Sequence, residues 1–494
     1  MLTRRSALSS LAAPLVWRSG APAARRPNIL FILMDDMGYR ALSCYGNPYV
    51  ETPHLDRLAG QGMRFTAAYV TPQCTPSRAT FLTGQYTARN RMWHVIPWYG
   101  TPWARVREPE FLDNLPRGAF TLAKGLKQAG YATACIGKWH LTTNEDGDYN
   151  SLRPEGAPHY GFDAGMLPVP KEAMALDRGV DLLTDRAIRF IEDHRERPFF
   201  CYLAHHAIHR QLAAPPALVA KYRKKGYPDT GLNKAVLLAS LEHMDAAIGR
   251  LLRRVDELGL REKTAVVFMT DNGGICESYN PKPVRDGQSG GWRIVPADPE
   301  FENTPLRAGK GFAQEGGIRV PMTVRWPGVV RPGSVCETPV HIVDMMPTFF
   351  QMAGARAPAS HVMDGVDLTP LWSGGQAPAP RPLYFYMPLY DLRWANTPCA
   401  AVRDGDYKLI EYFGDYIDLE ANNVYRIGRR LELYDLRRDI GETKNLAATM
   451  TERAARLSAR LHEWIRSCGA AVPGENPRYD PARALEETKI RPAG

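Results

Sequence analysis

Asn28-Ile29-Leu30-Phe31-Ile32-Leu33-Met34, followed at once by Asp35-Asp36, is an apolar run without alternation that empties into two carboxylates. Such a run reads as a strand buried on both faces, the pattern of a parallel sheet covered by helices. Three further runs share this plan. Ala132–Ile136 leads to Lys138 and His140, Phe199–Leu203 to His205, His206 and His209, and Ala265–Met269 to Asp271-Asn272. Helical patterns lie between and around them at Leu122–Ala129, Val180–Glu196 and Lys234–Leu258. The last carries Leu237, Leu241, Met244, Ile248, Leu251 and Val255 at helical spacing, a stripe that reads as core. Alternating strands and helices predict an α/β fold with a large, mostly parallel sheet sandwiched by helices. Ligands of open α/β sheets bind beyond the carboxyl ends of the strands, so four strands ending in reactive side chains predict one shared site.

A second stretch, Cys74-Thr75-Pro76-Ser77-Arg78, sets a small nucleophilic side chain at a helix start. Pro76 suits a first turn, where its missing N–H costs nothing. Arg78 falls four residues on, so a cation can lie one turn from the sulfur. The free N–H groups and dipole of such an end attract anions. A buried cysteine at a capped helix is the plainer reading of the pentapeptide alone. Asp35, Asp36, Asp271 and Asn272 offer only oxygen donors, three of them anionic, which select Ca2+ or Mg2+ over zinc. An acidic pair at a strand end also serves as a helix cap. Lys138 and His140, two apart on an extended segment, face the same side and can enter the site together. The histidine cluster at 205, 206 and 209 could hold a transition metal, but no thiolate or paired carboxylate accompanies it.

The motifs taken together resemble the formylglycine-dependent sulfatases of the alkaline-phosphatase-like superfamily. Cys-x-Pro-x-Arg at 74–78 is followed by Leu82-Thr83-Gly84, and Gly137-Lys138-Trp139-His140-Leu141 resembles a second family segment. Thr270-Asp271-Asn272-Gly273-Gly274 and Leu306-Arg307-Ala308-Gly309-Lys310-Gly311 with Glu315-Gly316-Gly317 resemble two more. Framework segments at Asn47–Asp56 and Glu432–Leu436 extend the resemblance over roughly residues 27 to 450, in the family's order. It implies conversion of Cys74 to formylglycine by a formylglycine-generating enzyme. It also implies a divalent cation, Ca2+ rather than Mg2+, on Asp35, Asp36, Asp271, Asn272 and residue 74. Lys138 and Lys310 would contact the sulfate, His140 the formylglycine, and His209 would be the general acid toward the leaving oxygen. Arg78 would orient the hydrated aldehyde. The family's proline two places after that histidine is Gln211 here.

With 494 residues, 44% hydrophobic and 23% charged, the chain reads as a large domain plus a smaller one. The division expected is a catalytic domain over 25–375 and a C-terminal subdomain over 383–494, separated by the Pro/Ala-rich Ala377–Pro382. The subdomain is expected to be α+β, with Cys399–Glu411 and Arg430–Leu436 as strands of a small antiparallel sheet and Glu452–Arg466 as a closing helix. Arg4-Arg5 ahead of an apolar stretch from Ala7 to Val16, and Ala21-Pro22-Ala23, read as a twin-arginine-like export signal over 1–24. An exported bacterial protein, periplasmic or extracellular, is expected. A net charge of +9 without a Lys/Arg block argues against nucleic acid and suits a sulfated substrate. No apolar run is long enough to span a bilayer. Eight cysteines without a CxxC pair exclude a disulfide scaffold and a zinc ribbon. The substrate expected is a sulfated carbohydrate or an aryl sulfate, with the insert Cys276–Thr304 (Arg285, Gln288, Trp292, Arg293) shaping the cleft. The rival enzyme is a phosphodiesterase or phosphonate monoester hydrolase of the same superfamily. A glycan-binding protein on the same scaffold predicts lost site residues, and none is missing.

Overall fold

The computed structural model describes residues 26–97, 100–275, 301–420 and 423–488, with four two-residue strand segments between 276 and 300. The export signal and nearly all of the insert lie outside the described residues. The main sheet uses β1 (Asn28–Met34), β2 (Met63–Tyr69), β3 (Ala132–Gly137), β4 (Phe199–Ala204), β5 (Thr264–Thr270), β6 (Arg319–Arg325), β7 (Ser334–Cys336) and β8 (Val340–His341). Its order is β7-β2-β6-β5-β1-β4-β3, with β8 also on β2. The strands β5, β1, β4 and β3 pair in parallel, and only β6 runs against its neighbours. The strands β2 and β6 are additions to what the sequence pattern gave. β2, in Met63-Arg64-Phe65-Thr66-Ala67, alternates apolar and polar residues, and that sheet signal went unread.

Helices cover both faces: α1 (Pro53–Gly60), α2 (Cys74–Thr83), α3 (Leu122–Gln128), α4 (Val180–Asp193), α5 (Ala235–Glu257) and α6 (Met345–Ala353). Successive side chains of a strand point to opposite faces, and β1 divides accordingly. Ile29, Phe31 and Leu33 pack with Phe81, Leu126 and Phe349, while Leu30, Ile32 and Met34 pack with Leu183, Leu241 and Ile248. This two-sided burial is why the run has no polar alternation. The Phe31 and Phe81 rings stack at 4.2 Å, seating α2 directly on β1. The whole stripe of α5 foreseen from its spacing is buried.

A four-stranded antiparallel sheet follows, β9 (Leu383–Met387), β10 (Cys399–Asp404), β11 (Tyr407–Tyr412) and β12 (Arg430–Asp435), covered by α7 (Thr451–Ser467). Cys399–Glu411 is therefore a hairpin rather than one strand. Gly405, at φ 61°, takes the left-handed conformation that a tight turn requires. No helix of the described residues is long and apolar enough to cross a membrane. The seven described cysteines are free.

Candidate active site

The carboxyl ends of β1, β3, β4 and β5 meet the start of α2 at one edge of the main sheet. Three carboxylates there each carry their own cation. Lys138 Nζ donates to both oxygens of Asp35 at 2.8 and 2.7 Å, and Lys310 Nζ to both oxygens of Asp36 at 2.6 and 2.8 Å. Arg78 donates to Asp271 Oδ2 from Nε at 3.0 Å and Nη2 at 2.7 Å. All six residues are buried, where charges persist only when paired and hydrogen-bonded. Burial alone would raise the Asp35 pKa. Lys138 in contact, with His209, Arg78 and Lys310 nearby, instead holds the carboxyl well below the usual carboxylate range. Burial and the adjacent Asp35 push Asp271 up, against the Arg78 fork.

Cys74 is the first residue of α2, and its sulfur lies at the centre of this charge array. The thiol faces Asp35 Oδ1 at 3.5 Å and Asp36 Oδ1 at 3.8 Å, and Lys310 Nζ donates to it at 3.4 Å. Burial pushes its pKa far above the ordinary thiol value, with Lys138 and Lys310 opposing. Arg78 lies one turn along, as the spacing required, but its guanidinium is spent on Asp271, the Lys138 carbonyl and the Tyr202 hydroxyl.

Two of the site's backbones are left-handed, Asp36 at φ 62° and His140 at φ 55°. Few non-glycine residues adopt this region, and Asp and His are among those that enter it most readily. β3 stops at Gly137, so the extended geometry expected for Lys138 and His140 is absent. Lys138 reaches the carboxylates, while His140 donates from Nε2 to the Ile96 carbonyl at 2.7 Å and leaves Nδ1 without a partner. His209 Nε2 lies 3.7 Å from Asp36 Oδ2, and its side chain is 25% exposed, which opens it to an incoming molecule. Burial and Lys310 push its pKa down to about 4. His205 and His206 are fully buried with both ring nitrogens unpartnered.

The sequence reading missed two aromatic residues. The Tyr149 ring meets Lys138 Nζ at 4.4 Å and packs against His140, His206 and His209. The Trp394 ring, from the segment between β9 and β10, lies 5.4 Å from Lys310 Nζ and 5.7 Å from the Arg210 guanidinium. Neither sits in a motif, and a lone aromatic residue in a loop carries no spacing signal. Gly311 makes room for the indole, since a Cβ there would lie 2.3 Å from Trp394 Cβ.

The donor set fits a hard divalent cation. Ligand atoms of Asp35, Asp36, Cys74 and Asp271 lie within 4.8 Å of one another. Asn272 Oδ1 beside them is buried without a hydrogen-bond donor, an acceptor that a cation would satisfy. Asn272 Nδ2 is spent on Asp36 Oδ1 at 2.8 Å, which orients that free oxygen.

Comparisons with known proteins agree with this geometry. The family model described as Sulfatase matches residues 27–355, and the model described as N-sulphoglucosamine sulphohydrolase, C-terminal, matches residues 308–468. A steryl-sulfatase of Mus musculus is 32% identical over 93% of this chain and 84% of its own. Arylsulfatase A of Homo sapiens is 32% identical over 90% of this chain and 86% of its own. Among solved structures, Ps i-CgsB in complex with k-i-k-neocarrahexaose superposes with a TM-score of 0.69 at 25% identity, over 89% of this chain and 93% of that one. With a matching model over most of its length and relatives 32% identical across about nine-tenths of it, the chain belongs to the sulfatase family and is a sulfuric ester hydrolase.

Proposed function

We propose that the chain is an exported enzyme that desulfates a sulfated glycan, with Cys74 converted to formylglycine and Ca2+ held by Asp35, Asp36, Asp271 and Asn272. The observation that carries the reading is the placement of Cys74 Sγ, 3.4 Å from the Lys310 ammonium and 3.5 Å from an Asp35 oxygen, at a buried helix start. When present, the aldehyde hydrate supplies an oxygen nucleophile and the cation a Lewis acid. The chain's own groups do the rest. Lys138 and Lys310 bind the sulfuryl oxygens and spread their negative charge. His209, part-exposed beside Asp36, gives a proton to the leaving oxygen once it is protonated, a state that Asp36 and Asp35 favour against burial and Lys310. Arg78 fixes Asp271, and Tyr149 packs against Lys138 and three of the histidines.

Mass spectrometry of the tryptic peptide 65–78 tests the conversion, and sulfate release from defined sulfated oligosaccharides tests the substrate. Phosphate-diester hydrolysis exceeding sulfate-ester hydrolysis would reject the reading in favour of the superfamily rival. Chelation with EGTA is expected to bring sulfate release to background and added Ca2+ to restore it. Full activity after exhaustive chelation would remove the cation from the scheme.

The glycan reading draws support from Arg210. It is exposed, directly follows His209, and has no acidic partner among the described residues. A second anionic group on the leaving sugar would pair with it. Arg210→Ala is expected to lower kcat/KM about fivefold to tenfold on an oligosaccharide with a further sulfate or carboxylate, and to leave nitrophenyl sulfate turnover unchanged. Equal losses on both substrates would contradict this role.

A further inference from the structure

A cavity of about 130 Å³ opens at the other edge of the main sheet, lined by His54, Arg57, Gln61, Arg253, Arg261 and Arg325 among others. Its position follows from the chain path. Gln61 just precedes β2, Arg261 lies in the turn that precedes β5, and Arg325 closes the antiparallel β6, two residues from the start of β5 in register. These are the amino ends of the parallel strands. The candidate active site lies at their carboxyl ends, a strand length of about 20 Å away.

The arginine at the floor is unusual. Arg325 is 2% exposed, and its Nε and Nη2 have no hydrogen-bond acceptor. Its nearest polar partners are distant, Gln61 Oε1 at 3.4 Å from Nη1 and Asp256 Oδ1 at 3.7 Å from Nη2. Burial pushes its pKa down, with Asp256 opposing and Arg261 adding to the fall. Desolvated guanidinium donors without acceptors cost several kcal/mol in most settings. At the rim, Arg57 and Arg253 are exposed and carry no acidic partner among the described residues. Only Arg261 is matched, to Asp256 at 2.7 Å and Glu262 at 3.8 Å. Burial first, then Arg57 and Arg253, lower the His54 pKa, as a positive field in the cavity demands. Gly249 lets the His54 ring lie flat on α5, since a Cβ there would come within 2.3 Å of it.

We infer that this cavity is a second anion site, separate from catalysis, that takes a tetrahedral oxyanion as free sulfate or phosphate or as a sulfate group on a glycan. The cavity holds the volume of about four waters, enough for one such ion. Guanidinium forks match the oxygens of sulfate and phosphate geometrically, which a lone ammonium does not. An ion seated on Arg325 would give Nε and Nη2 their missing acceptors, while Arg57 and Arg253 close over it. A sulfate released at the active site, or an uncleaved group farther along a polyanionic chain, supplies this chemistry.

The test uses the full chain and isothermal titration with inorganic sulfate, inorganic phosphate and a heparin-derived hexasaccharide, each against chloride at matched ionic strength. Competitive inhibition of nitrophenyl sulfate hydrolysis by sulfate reports on the active site separately. Arg57→Ala/Arg253→Ala is expected to weaken one class of sulfate binding about tenfold or more and to leave that inhibition unchanged. Loss in the free-ion titrations identifies a small-anion site, and loss confined to the hexasaccharide identifies a chain-borne sulfate. Arg325→Met is expected to abolish the same binding without lowering stability in chloride, because it removes a buried charge whose Nε and Nη2 lack acceptors and whose ion pair to Asp256 is long, at 3.7 Å. Should that variant fold poorly, the double substitution carries the test. Anion binding that is identical in wild type and the double variant overturns the site, whatever the fate of the sulfatase mechanism.

Discussion

Cys74→Ala is expected to lower kcat/KM for any sulfate ester by about 10⁴-fold or more, because in the proposed mechanism residue 74, once converted, makes the new bond and no neighbour can replace it. The fold should persist. The thiol is a small buried group whose polar neighbours are already paired with one another, Asp35 with Lys138 and Asp36 with Lys310. Circular dichroism and the thermal midpoint of the variant should therefore match wild type while sulfate release vanishes. Activity should also rise with the fraction of chains converted at position 74, measured on the same preparations by mass spectrometry. Turnover independent of that fraction would defeat the formylglycine reading and leave the family assignment standing.

Lys408→Met is expected to cost about 3–5 kcal/mol of stability, the largest structural loss proposed here. Lys408 on β11 is fully buried and donates to Glu315 Oε1 at 3.0 Å, with Glu442 Oε1 at 2.5 Å and the Ala313 carbonyl at 3.0 Å. The two glutamates are also wholly buried, so removing the lysine leaves their charges without it. Glu315 retains Arg319 at 3.4 Å and the Tyr69 hydroxyl at 2.7 Å, while Glu442 is left with Arg307, which donates to its carbonyl at 3.0 Å rather than to its carboxylate. Burial already pushes the Glu442 pKa up, against Lys408. Adding Glu442→Gln should recover part of the loss. A urea midpoint unchanged in Lys408→Met would show that the triad is not what fastens the antiparallel sheet to the Glu315 turn.

What could be read from the chain differed by kind of signal. β1 and α5 were legible because burial on two faces, or along one stripe, imposes a pattern on many consecutive residues. The pairs Asp35-Asp36 and Asp271-Asn272 and both lysines fall in one cluster, as expected, because strand ends share an edge. Their pairing was not legible: nothing in the sequence says that Lys138 rests on Asp35 and Lys310 on Asp36, since the partners lie 103 and 274 positions apart. Backbone reversals were hidden too. The left-handed turn at His140 is marked by no glycine, and the hairpin at Gly405 was hidden in a segment read as one continuous strand. Tyr149, Trp394 and the Lys408 triad depend on tertiary packing alone.

Trp394 links regions that are far apart in the chain. Its indole comes from the segment joining two strands of the small sheet, yet it backs both Lys310, which touches Cys74, and the exposed Arg210. Substrate preference can thus drift through changes at the mouth and in that segment while residues 35, 74, 138 and 271 stay fixed. A chain cut before Leu383 would keep Cys74 and lose the aromatic wall beside Lys310 and Arg210.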